Sequence, residues 1–186
     1  MARLTLGLIA ANVLVFLFQS SFGTPLILTF VPALAFRMPW MFLTSIFLHG
    51  GIQHIMFNMV ALFFFGTYLE RMIGAKTFLA LYFVSGIVGN VGYMFTAPNP
   101  LVPALGASGA VYGVMGTLAA LRPLLMIFIY GLVPVPLIMA TVLYALLDFA
   151  GLFTPSGIAH GAHLAGLLVG GATGLYIRSN WQRIAW

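Results

Sequence analysis

From Leu4 to Ser20 the chain carries no charged side chain, and five more apolar stretches follow at short intervals. A bilayer-spanning helix needs about 20 apolar residues, because every backbone N–H and C=O must be satisfied within the segment once water is excluded. Six such helices use roughly 120 residues, which leaves short loops and no room for a second, soluble domain in 186 residues. The reading is an all-α, polytopic membrane protein: one domain over residues 1–186, six transmembrane helices bundled in a lipid bilayer. Composition agrees, with 62% hydrophobic residues, 5% charged and a mean hydropathy of +1.13, more apolar surface than a soluble core of this size needs. The absence of cysteine removes disulfides, thiolate metal sites and a cysteine nucleophile.

Hydropathy, broken at glycine, proline and charge, sets the spans. Span 1 covers Leu4–Ser20, span 2 Ile52–Leu69, span 3 Thr77–Thr96, span 4 Ser108–Leu121, span 5 Leu137–Phe149 and span 6 Ala159–Ile177. No small-x-small cleavage site precedes "QSSFG", so the first stretch reads as a retained span rather than a signal peptide. Residues 21–51 hold Pro25, Pro32, Pro39, Arg37 and Trp40; they are too apolar for a water-exposed loop and too broken for a span, and are expected in the membrane interface. Residues 124–136, within "LLMIFIYGLVPVP", read as a re-entrant or interfacial piece.

Charge tests this arrangement. With six spans, Arg3, Arg71, Lys76, Arg122, Arg178 and Arg183 fall on one side and only Arg37 on the other. Lys and Arg accumulate in cytoplasmic loops, so both termini are expected in the cytoplasm. The net charge of +5 comes from basic residues scattered between apolar runs, which form no patch for nucleic acid. A short chain without targeting extensions points to a prokaryotic plasma membrane.

Polar side chains inside spans are expensive and usually functional. Spans 2, 4 and 6 all enter from the non-cytoplasmic side, and each carries its polar groups near that entry: His54 and Asn58, Ser108, and His163. His54 and Asn58 share a helix face at i and i+4, as do Ser108 and Tyr112. A glycine stripe, Gly166, Gly170 and Gly174, lies below His163; against Gly109, Gly113 and Gly116 of span 4 it permits close backbone approach. Ser108 and His163 then meet. A serine hydroxyl becomes a nucleophile when an imidazole takes its proton, and the oxyanion that follows needs donors. Asn58, His54 and the unpaired N–H groups at the start of span 4 supply them. Of the two carboxylates, Glu70 falls at the opposite end, and Asp148 ends span 5 on the correct side but serves equally as a cap or loop anchor. The expectation is a Ser108–His163 dyad.

Each feature also has a plainer explanation. Gly106-x-Ser108-Gly109 alone more often means helix packing than catalysis. His54 with Asn58 fits an interhelical hydrogen-bond pair, Tyr112 a packing residue, His49 a support for the Gly50-Gly51 loop, and Glu70 with Arg71 a cytoplasmic anchor or ion pair. His49, His54, His160 and His163 are also four possible metal or haem ligands, with His160 and His163 spaced to share an ion. Against that stand the absence of HExxH, of a nearby carboxylate and of cysteine.

The stretches "FLTSIFLHGGIQHIMFNMVALFFFG", "GASGAVYG" and "AHGAHLAGLLVGG" together resemble the rhomboid family of intramembrane serine proteases. That resemblance implies a six-span core, Ser108 as nucleophile, His163 as general base, His54 and Asn58 with the Ser108 backbone as oxyanion donors, and Tyr112 packed on the base. It implies cleavage of single-span membrane protein substrates without metal, ATP or other cofactor. The chain departs from the family pattern where Met38-Pro39 separates Arg37 from Trp40, and where Glu70 and Arg71 are adjacent. A second class stays open: a catalytically inactive rhomboid-like protein that binds membrane clients.

Overall fold

The computed structural model describes residues 2–129, 132–154 and 156–180; the charge assigned to Arg183 lies outside them. Helix α1 is Arg3–Phe22 and the short α2 is Met41–Thr44. Helix α3 runs over Ile52–Ile73, with a π-type stretch at Leu62–Gly66 inside it. Helix α4 is Ala75–Thr96, α5 is Ser108–Leu121, α6 is Leu137–Gly151 and α7 is His160–Ser179. Three of these rods, α1, α3 and α4, are long and apolar enough to cross a membrane by length and composition; α5 and α6 are apolar but shorter.

The strictly all-α expectation is corrected between α5 and α6. Strands β1 (Met126–Ile129) and β2 (Val133–Pro136) pair antiparallel, with Met126 opposite Pro136 and Ile129 opposite Val133. β-branched and aromatic residues favour this ribbon over a re-entrant helix. A two-stranded ribbon has only edges, so Pro134 and Pro136 are tolerated in it.

Helix α5 is the centre. Ten of its residues, from Gly109 to Ala119, are buried, as expected of a helix apolar on all sides. It packs on α3, α4, α6 and α7. Against α7 the contact is backbone on backbone: a Cβ added to Gly166 would meet the Gly109 carbonyl, and one added to Gly170 the Gly113 carbonyl. The Thr117 hydroxyl donates across this seam to the Gly170 carbonyl at 2.9 Å.

Two further sets of contacts fix the ends. At one end Glu70 accepts the Leu4 and Thr5 N–H groups (3.1 and 2.8 Å) and the Thr5 hydroxyl (2.7 Å). It therefore caps α1, whose first N–H groups have no partner within the helix; of the two roles expected for it, anchor or ion pair with Arg71, these contacts are of the anchoring kind. At that same end the Arg178 guanidinium donates to the Ala120 carbonyl at 3.4 Å. At the other end the 21–51 connection folds into short turns and α2. Phe30 and Ala104 exchange backbone hydrogen bonds at 2.9 and 2.8 Å, and the Gly106 N–H donates to the Ser45 carbonyl at 2.9 Å. This connection thus holds the loop that leads into Ser108.

Candidate active site

Ser108 opens α5, and its Oγ lies 2.8 Å from His163 Nε2 on α7. The close approach of Gly166 to the Gly109 backbone permits that distance, because a side chain at Gly166 would push the helices apart. Tyr112, one turn into α5, stacks on the His163 ring with centroids 4.4 Å apart and planes 12° apart.

The imidazole has a third partner. Asp148 Oδ1, on α6, is 2.9 Å from His163 Nδ1. A carboxylate only accepts hydrogen bonds, so Nδ1 carries the ring proton and Nε2 accepts from Ser108. Asp148, which from sequence serves equally as a cap or loop anchor, thus stands in line with the expected Ser108–His163 pair as a third group. Asp148 is one of only two acidic residues in the chain, and a lone carboxylate in an apolar helix was itself a signal. Its direction depends on how α6 rotates against α7, which spacing does not reveal.

The same oxygen serves a second histidine. His160 Nδ1 lies 2.6 Å from Asp148 Oδ1, and His160 Nε2 lies 2.7 Å from Ser156 Oγ. Asp148 is 5% exposed, and its Oδ2 has no hydrogen-bond partner among the described residues. Asp148, His160 and His163 offer ligand atoms all within 4.8 Å of one another, so the nearby carboxylate that the sequence lacked around the histidines is supplied by α6.

The donor side is built by α3 and the loop before Ser108. The Gly50 N–H donates to His54 Nδ1 at 3.3 Å, which leaves Nε2–H free to donate. Gly106, at φ 130°, lies against that ring: a Cβ there would be 2.6 Å from Cε1 and 2.8 Å from Nε2. Only glycine combines this backbone angle with this approach. The Asn58 amide gives one N–H to the His54 carbonyl at 2.9 Å and keeps a second.

His49 stands behind this loop. The Gln19 amide grips its backbone from both sides, at 3.0 and 3.3 Å, and its Nε2 accepts a long bond, 3.5 Å, from the Ala107 N–H. Burial, with the neighbouring His54 second, lowers its pKa to about 4; it is a neutral loop support.

Ser108, His163, His54, Asn58 and Tyr112 line one cavity of about 1570 Å³. Its walls continue down α3 through Phe57 and Phe64 and across to Tyr144 of α6. No substantial contact joins α3 to α6, so the cavity is an apolar cleft between two helices with polar groups at one end. Fold and site define a class: a helical membrane protein with a serine hydroxyl, an imidazole and a carboxylate aligned inside the bundle.

A family profile described as a rhomboid domain matches residues 37–180. The chain belongs to the rhomboid family. It is 44% identical over 79 residues to the rhomboid protease GluP of Bacillus subtilis, covering 42% of this chain and 15% of that one. It is 37% identical over 143 residues to the mitochondrial Rhomboid protein 1 of Saccharomyces cerevisiae, covering 72% and 40%. It is also 33% identical over 79 residues to a protein of Arabidopsis thaliana called Inactive RHOMBOID-like protein 8, covering 42% and 22%. The chain thus spans well under half the length of each of these relatives. Family and apolar helices together make it an integral membrane protein.

Proposed function

We propose that this protein is an intramembrane serine endopeptidase whose substrates are single-span membrane proteins. The observation that carries the reading is the 2.8 Å contact between Ser108 Oγ and His163 Nε2, with Asp148 on the far nitrogen. His163 takes the Ser108 proton as Oγ attacks the scissile carbonyl, and the new imidazolium is held by the carboxylate. The oxyanion receives hydrogen bonds from the Ser108 N–H, His54 Nε2–H and the second Asn58 N–H. His163 then protonates the leaving amine, and a water activated by the same imidazole hydrolyses the ester. The apolar cleft between α3 and α6 admits a substrate helix sideways, and its unwound end reaches the polar groups.

Six spans, with both termini in the cytoplasm, fit the common end shared by Glu70, Thr5, Ala120 and Arg178. The test is cleavage of a single-span reporter by purified protein beside Ser108→Ala. Cleavage by the parent alone, with fluorophosphonate labelling of Ser108, is the expected result. No cleavage and no labelling would leave a catalytically inactive, client-binding protein; the Arabidopsis relative is named as inactive.

A further inference from the structure

We infer that Asp148, His160 and His163 form an inhibitory site for a divalent transition-metal ion, of which Zn²⁺ is the type. The ion would sit on the back of the imidazole that faces Ser108. The inference rests on the protease reading only for its inhibitory consequence; metal binding itself does not.

The donor set is two imidazole Nδ1 atoms and one carboxylate, within 4.8 Å of one another. Two nitrogens and an oxygen with one position left for water suit Zn²⁺. Both rings and the carboxylate are largely enclosed, with side chains 12%, 13% and 6% exposed. His160 and His163 also line the large cavity, which gives an ion and its water a path in. Both Nδ1 atoms now converge on Asp148 Oδ1, at 2.6 and 2.9 Å. The donors of a tetrahedral zinc site are about 3.3 Å apart, so Oδ1 retreats by under about an ångström, and the two ring nitrogens, up to 4.8 Å apart, close in by about 1.5 Å to admit the ion. Oδ2, buried and without a hydrogen-bond partner among the described residues, is a second oxygen able to turn in. Gly151 leaves room for the His160 ring, since a Cβ there would collide with it.

The consequence follows from proton positions. In the metal-free site each neutral ring carries its proton on Nδ1 and donates it to Asp148. A metal ion takes both Nδ1 lone pairs, and each ring's single proton moves to Nε2; two neutral imidazoles release none. His163 Nε2 then donates toward Ser108 instead of accepting from it. The serine keeps its proton and the nucleophile is off. His160 Nε2–H finds an acceptor already in place, Ser156 Oγ at 2.7 Å.

The test uses the full chain without a polyhistidine tag. Co²⁺ is titrated into Ser108→Ala, which needs no proteolysis, and the visible d–d absorption is read. The expected result is a band saturating at one ion per chain, lost in Ser108→Ala/His160→Ala. In parallel, reporter cleavage is followed in buffered Zn²⁺, each variant against its own metal-free rate. Zn²⁺ should inhibit the parent reversibly, with EDTA restoring the rate, and His160→Ala should raise the half-inhibitory concentration at least about tenfold. No Co²⁺ band, a band that survives His160→Ala, or equal Zn²⁺ sensitivity in parent and His160→Ala would each overturn the site. If no reporter is cleaved at all, the Co²⁺ arm still decides it.

Discussion

Asp148 and His163 sit on different helices, yet one carboxylate oxygen of the first lies 2.9 Å from Nδ1 of the second. A buried carboxylate beside the base fixes its tautomer and stabilises the imidazolium formed during attack. Asp148→Asn should therefore lower kcat by about 10²-fold or more while KM changes little. The downfield proton NMR signal of a carboxylate-bound Nδ1–H should vanish with it. A variant with normal kcat and an intact signal would reduce Asp148 to a loop anchor.

The donor side yields a separate prediction, because His54 is positioned by a glycine. Asn58→Ala should slow turnover by about 10²-fold yet leave activity, since His54 and the Ser108 N–H remain. Gly106→Ala should have an effect of similar size, for its Cβ would intrude on the His54 ring. Parallel kinetics on the two folded variants check both. An unchanged rate in Asn58→Ala takes that residue out of the site.

Gly166 and Gly170 face the carbonyls of Gly109 and Gly113. A valine at either position forces α5 and α7 apart, and overpacking of this kind costs about 1–3 kcal/mol or more. Both Gly166→Val and Gly170→Val should melt earlier in detergent and lose turnover, the second through separation of Ser108 from His163. Gly171 has open space where a Cβ would go, so Gly171→Ala is the control. Normal melting in both valine variants would contradict the packing argument.

The fold was legible wherever one apolar run met one clear break. Span 4 starts at Ser108 and ends at Leu121 in sequence and structure alike, because a glycine-rich loop and Arg122-Pro123 bound it. Span 2 ran four residues past its expected end at Leu69. Glu70 and Arg71 looked like a stop, whereas the helix continues to Gly74, whose φ of 81° turns the chain. The β1–β2 ribbon was hidden because an unbroken apolar run has no alternation to reveal a strand. At the site, Ser108, His163, His54 and Asn58 could be placed at one depth from topology alone. The Asp148 contact could not, since it depends on the rotation of α6 and on Gly151 making room for His160.

Glu70 offers a stability prediction away from the site. It accepts three hydrogen bonds at the start of α1, and loss of a helix cap costs about 0.5–2 kcal/mol. Glu70→Ala should lower Tm, with Glu70→Gln in between because one acceptor oxygen remains. Turnover by the protein that stays folded should be near normal. Equal Tm in all three would mean that α1 is held by packing alone.

His49 makes the last prediction, and its sign can be worked out. Its pKa falls from the ordinary 6.5 to about 4 in the folded protein, through burial first and the adjacent His54 second. Between these values the unfolded chain binds the proton and the folded one does not. The stabilisation is thus fully present above about pH 6.5 and is lost progressively as pH falls toward 4. Each unit of such a shift corresponds to about 1.4 kcal/mol, so the loss across the window is on the order of 3 kcal/mol. Protonation also puts a hydrogen on Nε2, where the Ala107 N–H now donates, and so loosens the loop that carries Ser108. Gln at this position cannot titrate but still accepts the Ala107 bond. His49→Gln should remove most of the acid-side fall in Tm expected of the parent between pH 6.5 and 4. Parallel Tm curves for parent and variant would show that His49 is not the group responsible.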